Sequence, residues 1–233
     1  MVFAPSRLAS LSMDKPVLER WEMKYNLAYR IKEAVELIKD KGFLFAVHNY
    51  IYWGEETVLV EMDLSTLEDL SRYPLDPGFD MVKINHGLLE DKNVTYPARS
   101  EYFRALDYLE KGYVGYALKQ GKDVVGYIWY AHIDNSNKKM NHPDVNRFGI
   151  SDEKDCAYMF SMFLKPNVRG KNLATYLQRV VFHHLRAAGI LKAYGTYGKQ
   201  NISALWIHRM LKWKELKIFK IYQFVLIQKV KAQ

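Results

Sequence analysis

Hydrophobic residues in the first part of the chain follow the period of a helix. Between residues 18 and 41 the apolar positions recur at spacings of three and four: Ala28, Ile31, Val35 and Ile38. Because these spacings place side chains on one face, they predict an amphipathic helix over 18–41. Gly42 follows, where a helix commonly ends. The polar face of this helix mixes both signs of charge, which favours packing on the protein over binding to a membrane surface.

The pattern then changes to that of strands. Segments 43–52 and 57–63 are rich in aromatic and β-branched residues and predict two strands, with 53–56 as the turn between them. Ser65 and Glu68 form a capping-box pattern, which predicts a short helix directly after the second strand. These elements make up an N-terminal helix and strand extension.

Two prolines and a glycine cluster in 73–78, which is the strongest linker signal in the chain. We therefore divide the chain into the extension, residues 1–78, and a larger domain, residues 79–233. In the larger domain the predicted elements follow in this order: strand 81–84, helical region 87–111 broken at Tyr96-Pro97, strands 113–119 and 123–133, polar loop 134–151, strand 157–164, helix 171–188, strand 191–197, helix 201–213, and terminal strands within 216–229. This order predicts a mixed α/β fold.

One turn in this domain has the features of a phosphate site. Residues 164–174 connect an apolar strand to the start of an amphipathic helix. The first backbone N–H groups of a helix lack partners within it, and the positive end of the helix dipole favours an anion there. Arg169 and Lys171 add positive charge. The turn therefore predicts a binding site for a phosphate group.

The residues of this turn resemble the first signature of the GNAT N-acetyltransferase superfamily, Arg/Gln-x-x-Gly-x-Gly/Ala. The match runs from Arg169 to Ala174, with Asn172 in place of the usual glycine. Asn tolerates positive φ better than other non-glycine residues, so the turn can be kept. Residues 201–213 resemble the second signature, Asn-x-x-Ala-x-x-Leu-Tyr-x-x-Leu-Gly-Phe, with His208 in place of Tyr and Lys212 in place of Gly.

The resemblance covers about residues 80–233 and implies a fold and a donor. The fold is a GNAT-like mixed, mostly antiparallel sheet with helices on both faces and a splayed central strand pair. The donor is acetyl-CoA or another acyl-CoA, with no metal. The residues implied to bind it are Phe163, Leu164, Arg169, Gly170, Lys171, Asn172, Leu173, Ala174, Thr175, Asn201 and Ser203.

The resemblance also implies catalytic candidates for transfer to an amine. His208 occupies the position of the tyrosine that protonates the departing thiolate, and histidine titrates near neutrality. Packing or capping alone is the alternative role for this histidine. Tyr158 occupies the strand position where some members carry a glutamate base, but an ordinary tyrosine pKa near 10 makes it a poor base. Glu153 and Asp155 lie nearest in sequence, and the base stays unassigned.

Composition narrows the functional classes. The net charge of +8 suits the phosphates of CoA as well as nucleic acid, but no nucleic-acid recognition motif is present. Cys156 is the single cysteine, which excludes a disulfide framework and a multi-cysteine zinc site. No apolar run is long enough for a membrane span, and no signal peptide is recognisable. We therefore expect a cytoplasmic protein.

The acceptor is less well defined than the donor. Loop 134–151 is implied to lie at the end of the sheet opposite the turn at residues 164–174. These side chains of the loop would then line an opening for the acceptor: Asn137, Lys138, Lys139, His142, Asp144 and Arg147. A solvated, mobile loop is the alternative. We expect a small-molecule amine acceptor, with an amino sugar as one class. A long-chain acyl transferase using acyl carrier protein and a non-catalytic binding module both stay open, as does a homodimer.

Overall fold

The computed structural model describes residues 35–36, 38–39, 42–43, 52–97, 99–134, 141–224 and 227–232. The predicted helix over 18–41 and the predicted strand over 43–52 lie almost wholly outside these residues. The described elements follow in this order: β1 (Tyr52–Asp63), β2 (Asp80–Lys83), α1 (His86–Glu90), α2 (Arg99–Glu110), β3 (Val114–Gln120), β4 (Asp123–His132), α3 (Pro143–Arg147), β5 (Cys156–Leu164), α4 (Leu173–Ala187), β6 (Lys192–Gly198), α5 (Ile202–Met210), β7 (Lys214–Phe224) and β8 (Ile227–Ala232).

Within the described residues, eight strands form one sheet in the order β2-β3-β4-β5-β6-β1-β7-β8. All neighbours in this sheet are antiparallel except β5 and β6, which run parallel. α4 packs on one face through Leu177, Val181 and Leu185. α2 packs on the other face, where Ala105 joins the cluster around Trp129. The predicted mixed, mostly antiparallel sheet with helices on both faces is confirmed.

β1 lies inside this sheet, hydrogen-bonded on both sides. It pairs with β6 from Thr57–Gly198 to Asp63–Lys192, and with β7 along almost its whole length. The predicted turn at 53–56 is wrong, because those residues continue β1 and pair with β7. A glycine followed by two glutamates is typical of a turn, and only pairing with a distant strand keeps these residues extended. The division of the chain at residue 78 stays a prediction.

The connection after β1 is a turn and not the predicted short helix. The Asp63 carboxylate accepts the N–H of Ser65 at 2.8 Å, which bends the chain at the end of the strand. A single 3₁₀ turn then forms over Leu70–Arg72, with Asp69 as its cap. The capping-box prediction at Ser65 and Glu68 is wrong because Asp63 offers the backbone a competing local hydrogen bond.

The second half of the predicted polar loop is part of the core. Residues 141–151 contain α3, and Val145, Phe148 and Ile150 are buried against β5, β6 and β7. Three apolar side chains in a polar stretch were too few to predict this packing from sequence. The expectation of a solvated, mobile loop is therefore wrong for 141–151, while 135–140 lies outside the described residues.

Candidate active site

β5 and β6 open a cleft in the middle of the sheet. They pair from Cys156–Lys192 to Met159–Gly195, and in the described structure no pairing continues to their ends at Leu164 and Gly198. Ser161 has a φ of +50°, next to a register shift between β4 and β5. Such a bulge bends a strand. The cleft has a volume of about 590 Å³, a size typical of small-molecule sites. The predicted splayed strand pair is confirmed.

The turn that closes one end of the cleft has two residues in the left-handed region. Gly170 has a φ of +83° and Asn172 a φ of +57°, and the value at Asn172 agrees with the tolerance of asparagine for positive φ. The side chain of Asn172 makes no capping hydrogen bond to α4, although Asn172 is the residue before the helix. The first turn of α4 also carries no acidic residue. Its backbone donors and the helix dipole are therefore available to an anion in the cleft.

The two cations of this turn have different positions. Arg169 lines the cleft, and its Nε donates a hydrogen bond to the Leu164 carbonyl at 3.1 Å. This bond holds the guanidinium beside the end of β5. The Lys171 side chain lies outside the cleft lining, with its Nζ 5.6 Å from the centre of the Phe79 ring. Arg169 is therefore the main source of the positive charge that this turn presents to the cleft.

The second predicted motif forms the opposite wall. Asn201 precedes α5, and its Oδ1 accepts the N–H of Ala204 at 3.1 Å. This capping bond uses the side-chain oxygen and leaves the Asn201 amide N–H groups as donors. Of the predicted donor-binding and catalytic residues, those that line the cleft are Phe163, Leu164, Arg169, Gly170, Asn172, Leu173, Ala174, Thr175, Asn201, Ser203 and His208.

His208 lies on the inner face of α5 between two aromatic rings. Its ring stacks on Tyr197 with centroids 4.8 Å apart and lies 5.3 Å from the ring of Trp213. Its Nδ1 is 2.7 Å from the Ala204 carbonyl oxygen. Because a carbonyl oxygen only accepts, Nδ1 carries the proton, and Nε2 of the neutral ring is an acceptor. Burial lowers the pKa of His208, which favours this neutral form.

Tyr158 does not line the cleft. It is fully buried, and its hydroxyl lies 3.1 Å both from Asp144 Oδ2 and from Thr196 Oγ1. Burial raises the pKa of the Tyr158 hydroxyl well above its usual value. Since Thr196 does line the cleft, Tyr158 stands one side chain behind the wall. It holds Thr196 in place and keeps its proton.

The predicted acceptor residues are mostly packed against β5. The His142 ring lies 4.2 Å from the ring of Phe160, which lines the cleft, and 5.2 Å from that of Tyr158. Asp144 pairs with Arg147 in α3. Asn137, Lys138 and Lys139 lie outside the described residues. His142, Asp144 and Arg147 therefore do not line the cleft, and neither do the carboxylate candidates Glu153 and Asp155.

Burial of His142 predicts a loss of stability in acid. Burial lowers the pKa of His142 to about 4, although nearby Asp144 opposes this shift. In the unfolded chain His142 has an ordinary pKa near 6.5. Between pH 6.5 and 4 it is therefore protonated in the unfolded chain but stays mostly neutral in the folded protein. The stabilisation is thus fully present above pH 6.5, and about 3 kcal/mol is lost as pH falls to 4.

The measurement is urea unfolding at pH 7, 5.5 and 4 of the protein and of His142→Asn. The His142 Nδ1 accepts the N–H of Asp144 at 3.3 Å, and asparagine can keep such a cap without taking up a proton. We expect the variant to lose less stability between pH 7 and 4. Equal losses in both proteins would contradict this account.

A hydrogen-bonded polar pair in the cleft was not predicted from the sequence. Gln178 on α4 and Trp213 before β7 both line the cleft and are buried. The Trp213 Nε1 donates a hydrogen bond to Gln178 Oε1 at 3.0 Å. A glutamine on the otherwise apolar face of α4 was the available signal, because a buried amide needs a polar partner.

Among the described residues, histidine, cysteine and acidic side chains form no group that could hold a metal ion. None of the helices in the described part of the chain combines the length and hydrophobicity needed to cross a bilayer.

Comparison with solved structures supports the fold. A tandem GNAT protein from the clavulanic acid biosynthesis pathway superposes with a TM-score of 0.51 at 11% identity, over 75% of this chain and 55% of that one. A GCN5-related N-acetyltransferase from Sphaerobacter thermophilus gives a TM-score of 0.50 at 11% identity, over 78% of this chain and 56% of the other. This chain thus spans little more than half the length of these structures. No curated protein matches the sequence.

The family is shown by the sequence. The model of the acetyltransferase (GNAT) family matches residues 82–210, more than half of the 233 residues. This span runs from β2 to the end of α5 and includes the splayed strands, the turn from Arg169 to Ala174, and His208. The chain belongs to the GNAT family of acetyltransferases.

Proposed function

We propose that this protein transfers an acyl group, most simply acetyl, from acyl-CoA to an amine. The observation that carries this proposal is the uncapped start of α4, which opens into the cleft between the diverging strands β5 and β6. A phosphate-bearing thioester suits this arrangement because phosphate and acyl group can bind at opposite ends of one cleft. An amino sugar stays one predicted class of acceptor.

The donor would be held largely by backbone groups. The N–H groups of Leu173, Ala174 and Thr175 at the start of α4 would bind the pyrophosphate, with Arg169 beside them. Beyond Met159, β5 presents backbone to the cleft that no described strand covers. Phe163 and Leu164 would offer this edge to the pantetheine arm, and Asn201 and Ser203 would contact the arm from the side of α5.

The position of His208 supports a role in proton transfer. With Nδ1 held by Ala204, the neutral ring offers Nε2 as an acceptor. We infer that Nε2 takes a proton from the nitrogen that has attacked the thioester. The imidazolium then gives this proton to the departing thiolate, which returns His208 to its neutral form. The predicted role as an acid is thereby kept, but it requires His208 to act first as a base.

Binding of acetyl-CoA tests the proposal. A ligand that binds only the folded state stabilises it by about 2.7 kcal/mol at a hundred times its Kd. We expect acetyl-CoA to raise the melting temperature in proportion to the logarithm of its concentration, and calorimetry to give one site. Release of the free CoA thiol in the presence of amines measures turnover. Without any thermal or calorimetric response at millimolar acetyl-CoA, the donor assignment would be wrong.

A carrier-bound acyl group is a second candidate donor. The outer face of α5 carries an exposed apolar stripe, Ile202, Trp206 and Met210, each more than half exposed. Met210 also lines the cleft, so the stripe adjoins its mouth. Exposed apolar patches of this kind mark docking surfaces. Turnover with an acyl carrier protein but not with acetyl-CoA would favour this donor, and binding without any turnover would favour a non-catalytic module.

A further inference from the structure

Glu55 lies on the face of the sheet opposite to His208. In the pairing of β1 with β6, Thr57 is directly opposite Gly198 and Val58 opposite Tyr197. Directly opposed residues share a face, and faces alternate along a strand. Glu55 therefore shares its face with Gly198 and Thr196, whereas Tyr197 and its stacked partner His208 lie on the other face. The cleft reaches both faces, since Thr196, Gly198 and His208 all line it.

The carboxylate of Glu55 lies against Gly198, which lines the cleft, although Glu55 itself is not one of the lining residues. A Cβ atom added to Gly198 would lie 1.6 Å from Glu55 Oε1, a distance that no real pair of atoms tolerates. The φ of Gly198 is outside the left-handed region, so its backbone does not require glycine. An added side chain at this position would therefore displace the Glu55 carboxylate, which fills the space beside Gly198.

Glu55 also differs from its neighbour in its electrostatic surroundings. The Glu56 carboxylate pairs with the Nζ of Lys199 at 2.7 Å and that of Lys220 at 3.8 Å. In the described part of the chain, no hydrogen bond or ion pair is formed by the Glu55 carboxylate. Glu55 is half-buried, and this burial raises its pKa above the usual value. A carboxylate that is partly removed from water and has no positively charged partner attracts a positively charged group of a ligand.

We propose that Glu55 binds the ammonium group of the acceptor and takes its proton. This inference rests on the proposed function and identifies the acceptor class as a cationic amine that enters from the face of Glu55 and Thr196. The reaction then balances. An N–H bond of the ammonium breaks as an O–H bond forms on Glu55, and the freed lone pair attacks the thioester carbon. The attacking nitrogen gives a second proton to His208, the C–S bond breaks, and His208 passes this proton to the thiolate. Glu55 then releases its own proton to water.

Glu55→Gln tests this role, because it removes the charge and keeps the shape. The probes are acetyl-CoA with four primary amines: glucosamine, lysine, putrescine and ethanolamine. We expect KM for the best amine to rise at least 10-fold and kcat at pH 7 to fall, while the Kd of acetyl-CoA from calorimetry stays within twofold. Raising the pH should restore part of kcat, since a neutral amine no longer needs the carboxylate.

Two further variants separate this role from a structural one. Glu56→Gln, on the adjacent residue, is the matched control and should leave KM for the amine unchanged. Gly198→Ala should displace the Glu55 carboxylate and reproduce the high KM of Glu55→Gln. The inference is overturned if Glu55→Gln keeps the wild-type kcat/KM for the amine, or if the wild-type protein binds acetyl-CoA but acetylates none of the four amines. A wild-type protein that fails to bind acetyl-CoA would instead overturn the proposed function, and the inference with it.

Discussion

His208→Ala is expected to lower kcat by about 10²-fold and to leave the Kd of acetyl-CoA within about twofold. General acid–base groups contribute about this factor to turnover. The alanine variant loses Nε2, the atom that we propose exchanges a proton with the amine and the thiolate. Donor affinity should survive because the turn at Arg169–Ala174 lies at the other side of the cleft and does not involve this ring.

The pH profile gives this prediction a second readout. The neutral form of His208 is the one that accepts a proton, and burial lowers its pKa below the ordinary value of 6.5. Turnover should therefore persist below pH 6.5 and fall as pH drops through the lowered pKa of His208 or the raised pKa of Glu55. His208→Tyr should recover part of the lost turnover, since a phenol can also protonate a thiolate.

His183→Ala is a matched control for this experiment. His183 lies on α4, outside the cleft lining, with its Nε2 2.9 Å from the Glu68 carbonyl oxygen. We expect normal turnover in this variant. Unchanged kcat in His208→Ala, measured alongside a small loss of stability, would leave His208 as a packing residue of Tyr197 and Trp213.

Gly170→Val is expected to weaken acetyl-CoA binding by about 10-fold or more. Gly170 adopts a φ of +83°, a region that costs an L-residue about 1–2 kcal/mol and is worst for β-branched side chains. The turn would therefore shift toward ordinary backbone angles, and the N–H groups at the start of α4 would no longer converge on one anion. Calorimetry with acetyl-CoA measures the affinity.

Gly112→Val separates this effect from backbone strain alone. Gly112 has a φ of +74°, and like Gly170 it has no heavy atom within 4 Å of an added Cβ. It follows α2 and is not part of the cleft lining. Both variants should lose similar stability in urea unfolding, but only Gly170→Val should bind acetyl-CoA more weakly. Equal affinities of the two variants for acetyl-CoA would rule out a phosphate-binding site at the turn that contains Gly170.

The sequence by itself determined the features that depend on neighbouring residues. The turn from Arg169 to Ala174 could be predicted because positive φ at Gly170 and Asn172 is a property of those residue types. α4 and the hairpin of β3 and β4 could be predicted in the same way, since hydrophobic period and turn chemistry act over a few residues. These local elements were enough to place most of the predicted donor-binding residues around one cleft.

The tertiary structure alone decided what depends on distant partners. Residues 53–56 look like a turn, yet pairing with β7 makes them strand and brings Glu55 onto Gly198. Tyr158 is withdrawn behind Thr196 because α3 and β6 supply the partners of its hydroxyl. Strand pairing and burial join residues far apart in sequence, so no local pattern encodes them. For this reason most of the residues that we propose bind the donor were predictable from sequence, whereas the position of Glu55 beside the cleft was not.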